Sequence, residues 1–172
     1  IIDPIKKNKP INEKDINKLI TRLNVIKESK GNFSVSKLRL EMQHTMQNFC
    51  PVYRSGKMMK KGKGKLLEIL EKLKKVKITD KSLIWNTEIV EALELHNLII
   101  QSIASIDSAL ERTESRGAHS RIDFKKRNDK NWLKHNLVWL EKNGKTSFHH
   151  RPVQLNTKNN EVKSIAPKAR VY

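Results

Sequence analysis

The sequence predicts a mainly α fold: a bundle of three or four helices, then a β-hairpin and an extended C-terminal tail. Three observations predict it. Apolar residues recur at three- and four-residue spacing through the first two thirds of the chain, the period of a helix with one buried face. After Gly117 the spacing changes to two, the period of a strand. Asn143-Gly144 lies between two such alternating segments and is a preferred pair for a tight hairpin turn.

Residues 1–11 hold Pro4 and Pro10 with lysines and an asparagine between them, and read as a linker. Asn12 is placed to cap a first helix over 13–28, with Glu13 and Asp15 in its first turn. Ile16, Leu19, Ile20, Leu23 and Ile26 form its apolar stripe. Ser34 or Ser36 opens a second helix, 34–49, with Leu38, Met42, Thr45, Met46 and Phe49 on its buried side, and Pro51 stops it. The methionines recur at helical spacing and read as core. A third helix, 57–77, buries Leu66, Leu67, Ile69, Leu70, Leu73 and Val76, while Gly62 and Gly64 weaken its first turns. A fourth, 87–115, opens at Asn86 or Thr87 and carries Ala92, Leu95, Ile99, Ile103, Ile106 and Leu110 on one stripe and Ile89, Leu93, Ile100 and Ala104 beside it. So wide an apolar arc belongs to a central helix. The hairpin spans 136–151, and 152–172 is an extended tail that needs a surface to lie on.

A chain of 172 residues is long enough for one domain with a core. Cys50 is the only cysteine, so no intrachain disulfide can form. No apolar run approaches the length that spans a bilayer. The start Ile1-Ile2-Asp3-Pro4, without an initiator Met, suggests a piece of a longer chain. The net charge of +18 has the sign expected of a nucleic-acid binder, with nine lysines against two glutamates in segment 57–77. Against that reading, there is no zinc-finger spacing, no RNA-binding aromatic signature and no basic heptad array.

The candidate functional stretch is Arg112-Thr113-Glu114-Ser115-Arg116-Gly117-Ala118-His119-Ser120-Arg121-Ile122-Asp123-Phe124. Gly117 fits the left-handed position that closes many helices. Arg112, Glu114, Arg116, His119, Arg121 and Asp123 around it make a polar junction between packed units. Arg116 is expected to dock on helix-end carbonyls and on Glu114 or Asp123 through its planar fork. No metal site is expected: His149 and His150 point to opposite faces of a strand, and no carboxylate stands at a ligand spacing from the histidines. Cys50 lacks neighbours that would activate it. No Gly-x-Gly-x-x-Gly follows a strand, so no cofactor-binding and no catalytic residues are assigned.

The same stretch, followed by Arg127-Asn128-Asp129 and Asn131-Trp132-Leu133-Lys134-His135, resembles the C-terminal region of the succinate dehydrogenase flavoprotein family. The resemblance extends to Leu38-Arg39-Leu40-Glu41-Met42-Gln43-His44-Thr45-Met46-Gln47, to Val52-Tyr53-Arg54-Ser55-Gly56 and to the closing Pro167-Lys168-Ala169-Arg170-Val171-Tyr172. It covers the chain from about Asp15 onward. Lys125-Lys126 departs from the family's usual acid or proline, and 147–160 matches loosely.

The resemblance implies oxidation of succinate to fumarate, with electrons passing from FAD to an iron–sulfur subunit and on to quinone. In the family, the FAD-binding and substrate-binding motifs lie upstream of this region, and none occurs here. The implied organisation is a linker at 1–11 from an upstream FAD domain, a helical bundle over 12–117, and a hairpin with a tail over 118–172 packing back on that domain. Arg112, Glu114, Arg116, Gly117, His119, Arg121 and Asp123 would form the seam. Implied partners are the FAD domain, the iron–sulfur subunit and, indirectly, the membrane anchor subunits; no nucleic acid is expected. The implied place is peripheral, on the cytoplasmic face of a bacterial inner membrane or the matrix side of the mitochondrial one. The alternative is a free-standing basic helical module that binds nucleic acid or an acidic protein.

Overall fold

The structure, a computed structural model, describes residues 12–141, 144–157, 159, 161, 163, 165, 166 and 168. Its elements run α1 (Glu13–Lys27), α2 (Val35–Phe49), β1 (Tyr53–Arg54), α3 (Gly56–Leu73), α4 (Thr87–Glu111), β2 (Ser120–Arg121), α5 (Asp129–Trp132), β3 (Lys134–Leu140) and β4 (Thr146–Pro152). The expected mainly α fold with a hairpin forms, and the 1–11 linker lies outside the described residues. Side chains start each long helix, three of them as the sequence implies and Ser55 unforeseen. Asn12, Ser34, Ser55 and Asn86 each accept a backbone N–H that the first helical turn leaves unpaired.

α4 is the central helix. Leu95, Ile99, Ile103 and Ile106 are fully buried, facing Leu38 and Met42 of α2 and Met59, Leu66, Ile69 and Leu70 of α3. Each such side chain contributes roughly 1.5–3 kcal/mol on leaving water. The expectation that no apolar run reaches a bilayer-spanning length is corrected here: α4 is long and apolar enough for one. Its Ile89, Ala92, Leu95, Ile99, Ile103 and Ile106 lie in the core. Gly62 is more than a weak spot in α3. A Cβ there would lie 2.5 Å from Phe49 Cβ and 2.9 Å from Ile106 Cδ1, so glycine is what lets α3 meet α2 and α4.

Two helix ends and one apolar stripe differ from expectation. α3 stops at Leu73, because Lys74 and Lys75 close its last turn on Glu71 and Lys72. The chain then runs beside the α1–α2 loop, where Lys77 N–H donates to Phe33 O and Gly31 N–H to Val76 O. Val76 is buried in that crossing rather than in a helix. α4 stops at Glu111 instead of 115, since Arg112 is already extended. The apolar stripe of α1 is mostly uncovered: Leu23 and Ile26 reach the core, but Leu19 is 66% and Ile20 51% exposed.

β3 and β4 pair antiparallel from Lys134↔Pro152 to Leu140↔Thr146. Glu141 N–H donates to Lys145 O beyond the ladder; Lys142 and Asn143, and with Asn143 half of the expected turn pair, lie outside the described residues. The hairpin is fixed to the bundle through buried Asp107 of α4. Its Oδ2 accepts Lys63 Nζ of α3 at 2.6 Å and Thr146 Oγ1 of β4 at 2.7 Å.

Candidate functional site

The 112–124 stretch folds at the C-terminal end of α4 and closes around one carboxylate. Glu114 is fully buried. Its oxygens accept from Arg112 Nη1, from Arg116 Nε at 2.7 Å and Nη2 at 3.0 Å, and from the Asn128 N–H at 2.8 Å. Burial pushes this carboxyl up, but the hydrogen bonds from Arg116, Asn128 and Arg112 outweigh it and hold the group below its ordinary value. Arg116 bridges onward to Asp129 at 2.6 Å, at the start of α5. Arg112 also donates to Trp132 O and to Lys134 O, and lies 5.2 Å over the Trp132 ring. These ties lock α4, α5 and β3 together.

Arg116 meets the expected Glu114, yet the helix-end carbonyls belong to a different arginine. Arg121, 2% exposed, donates through Nη1 to the carbonyls of Ala109, Leu110 and Arg112, each at 3.1 Å. Its other nitrogens fork onto Asp123 at 2.7 and 2.8 Å. Asp123 in turn accepts the Gly56 N–H at the start of α3 at 2.8 Å. The Arg121 guanidinium, helped by Gly56, holds the Asp123 carboxyl well below the usual carboxylate range. One arginine–aspartate pair thus caps the end of α4 and the start of α3.

Gly117 has φ +56, the left-handed value foreseen, but it does not close α4. It sits with Ala118 in a turn where Arg116 and His119 exchange both backbone hydrogen bonds. His119 donates from Nε2 to Arg112 O at 3.0 Å, since a carbonyl only accepts. Burial lowers its pKa, the bond to Arg112 O opposes, and nearby Arg54, Arg121 and Arg112 lower it further.

All seven singled-out residues therefore come together at one junction. Three parts were missed. β1 pairs in parallel with β2, Tyr53↔Ser120 and Arg54↔Arg121, a contact too short to leave a periodic signal. The α5 turn and its Asp129 carry half of the Arg116 bridge; Asn128 followed by Asp129 is a capping pattern that could have marked it. The pairing of buried Asp107 with Lys63 joins residues 44 apart in sequence. The exposed surface around the junction includes Val52, Tyr53, Gly117, Ala118, Ile122 and Phe124, with Asp123, Lys125 and Lys126 among them. An open cleft of about 450 Å³ lies beside it, lined among others by Arg112, His119, Trp132, Lys134 and Val153.

Comparison with known proteins places this architecture. A family model described as the fumarate reductase flavoprotein C-terminal part matches residues 39–172. The succinate dehydrogenase flavoprotein subunit of Rickettsia bellii is 45% identical over the whole chain, which covers 29% of that protein. The mitochondrial succinate dehydrogenase flavoprotein subunit of rice, Oryza sativa, is 43% identical over 98% of the chain, covering 27% of that protein. A solved E. coli quinol fumarate reductase chain superposes with TM-score 0.83 at 32% identity, over 92% of this chain and 27% of that one. The chain spans under a third of the length of the curated relatives it matches. With the family model covering most of the chain and the bundle, junction and hairpin matching in three dimensions, the chain belongs to the succinate dehydrogenase and fumarate reductase flavoprotein family and corresponds to its C-terminal part.

Proposed function

We propose that this chain is the non-catalytic C-terminal part of an FAD-dependent succinate dehydrogenase. In that enzyme succinate is oxidised to fumarate, and electrons pass through FAD to an iron–sulfur subunit and on to quinone. The FAD and the substrate are held by the part of the subunit that this chain does not span. The chain supports that part as a rigid buttress, and the complete subunit sits peripherally at the inner membrane, facing the cytoplasm or the mitochondrial matrix. The observation that carries the reading is the identity of 45% over the whole chain with a succinate dehydrogenase subunit more than three times longer.

The 112–124 junction is the seam to the flavin-binding part in this reading. Its charges are already paired inside the chain, so Arg112, Glu114, Arg116, Arg121 and Asp123 hold the shape, with Gly117 and His119 setting the turn. The contact itself falls to the exposed rim of Tyr53, Ala118 and Ile122.

Two measurements test this. The purified 172-residue chain, mixed with FAD and succinate, is expected to show neither a bound-flavin spectrum nor dye reduction; either signal overturns the non-catalytic assignment. In the complete subunit, Arg116→Ala is expected to lower the thermal midpoint and assembly with the iron–sulfur subunit, while turnover per bound flavin holds. Unchanged stability with collapsed turnover per flavin makes Arg116 catalytic and overturns the seam.

A further inference from the structure

The loop between α3 and α4 carries three of the five most exposed large hydrophobic side chains among the described residues. Leu83 is 69%, Ile84 78% and Trp85 95% exposed. Trp85 also has φ +54, the one non-glycine residue with a positive φ among those described. A bulky residue in that region carries backbone strain that the surroundings must hold in place.

The surroundings do hold it. Buried Asn86 donates from Nδ2 to Asp80 O at 2.8 Å and Ser82 O at 2.9 Å, while its Oδ1 caps α4. Glu88 accepts the Thr79 and Asp80 N–H groups at 2.7 and 3.0 Å. Thr87 N–H returns to Trp85 O at 3.0 Å. Lys81 Nζ donates to the carbonyls of Lys27 and Ser29, tying the loop to the end of α1. α1 is itself the helix whose Leu19 and Ile20 are left uncovered. A rigid frame thus presents three apolar side chains that touch none of the core. Preorganised aromatic and aliphatic groups of this kind are the usual anchors of an interface, because little freedom is lost on docking.

We infer that Leu83-Ile84-Trp85 is a second anchor of this chain on the flavin-binding part of the same polypeptide, at the opposite end of α4 from the 112–124 seam. The inference rests on the reading above that such a part exists. The relatives' lengths make one body sufficient for both contacts. A chain of 172 residues that is 29% of its relative leaves about 420 residues outside it, and a compact body of that size spans about 55 Å. α4 has 25 residues and is roughly 37 Å long. The loop and the junction are therefore within reach of one face of that body.

Hydroxyl-radical footprinting of side chains, read by mass spectrometry, tests the inference in the 172-residue chain and in the complete subunit. Oxidation of Trp85 is expected to fall tenfold or more in the complete subunit without any other protein added. Trp85→Ser is expected to lower the thermal midpoint of the complete subunit by several degrees and to leave that of the 172-residue chain unchanged. Full reactivity at Trp85 with protection at Tyr53 and Ile122 overturns the inference and leaves the seam standing. Full reactivity at both ends overturns the seam reading as well. Protection that appears only with the iron–sulfur subunit, or that grows with the concentration of the 172-residue chain alone, assigns the loop to another protein or to a second copy and overturns the occupant named here. A Trp85→Ser complete subunit as stable as its parent overturns it too.

Discussion

Glu114 shows what a single buried charge does in this molecule. Its carboxylate is a common acceptor for Arg112, Arg116 and the Asn128 N–H. Glu114→Gln keeps the shape but leaves the part-buried Arg112 without its counter-charge and Arg116 with Asp129 alone. Removing one partner of such a buried set costs roughly 3–5 kcal/mol, because the desolvated partners stay behind. Urea unfolding of the 172-residue chain at pH 7 measures it. The pH dependence carries a sign. The Glu114 carboxyl is held below its ordinary value in the folded chain, so its contribution is present above about pH 4.3 and is lost as pH falls below that. The stability gap between parent and Gln variant is therefore expected to narrow below about pH 4. A gap that stays constant from pH 7 to pH 3 would show that the carboxylate's charge is not what holds the junction.

At the scale of elements, two glycines two positions apart in α3 have opposite meanings. Gly62 is pressed between α2 and α4, with Phe49 Cβ and Ile106 Cδ1 where its own Cβ would go. Gly64 faces open space. Gly62→Ala is expected to cost about 1–3 kcal/mol through overpacking, since Phe49 Cβ cannot swing away. Gly64→Ala is expected to gain about 0.5–1 kcal/mol, because alanine loses less freedom on entering a helix. Midpoints of thermal unfolding check both, and a shared sign would refute the packing account. Sequence alone treats the two glycines alike, which marks the boundary of what it can reveal. Helical periodicity located α2, α3 and α4, because their spacing reports a buried face directly. The same signal in α1 promised burial that the described chain does not supply: the stripe is there, but only Leu23 and Ile26 have partners. In the junction, residue types identified seven of the participants but not Asn128 or Asp129, and the pairing was not legible. Arg116 and Arg121 are both near Glu114 and Asp123 in sequence, and only the turn at Gly117 decides that Arg121 takes the helix carbonyls. β1, β2 and α5 are too short for any period to show.

Across the described residues, the buried charges are three and each is matched: Asp107 with Lys63, Glu114 with Arg112 and Arg116, Arg121 with Asp123; the lysines that dominate the +18 of the sequence are not among them. The surface charge therefore says little about the fold, and the paired interior charges say where its parts are joined. The Arg121–Asp123 pair has one more consequence, in time rather than in space. The Gly56 N–H at the head of α3 waits for a carboxylate 67 residues further along the chain. During synthesis α3 and α4 emerge from the ribosome in order, but neither the start of the one nor the end of the other can be sealed until residue 123 has followed them out. Closing so long a loop is an entropic toll that local helical contacts do not share, so the seal forms after the folding transition state. Asp123→Asn is expected to speed unfolding and to leave the refolding rate near that of the parent in stopped-flow denaturant jumps. A slowed refolding arm would place this seal in the nucleus; a refolding arm that does not move makes it the last latch to close and the first to open.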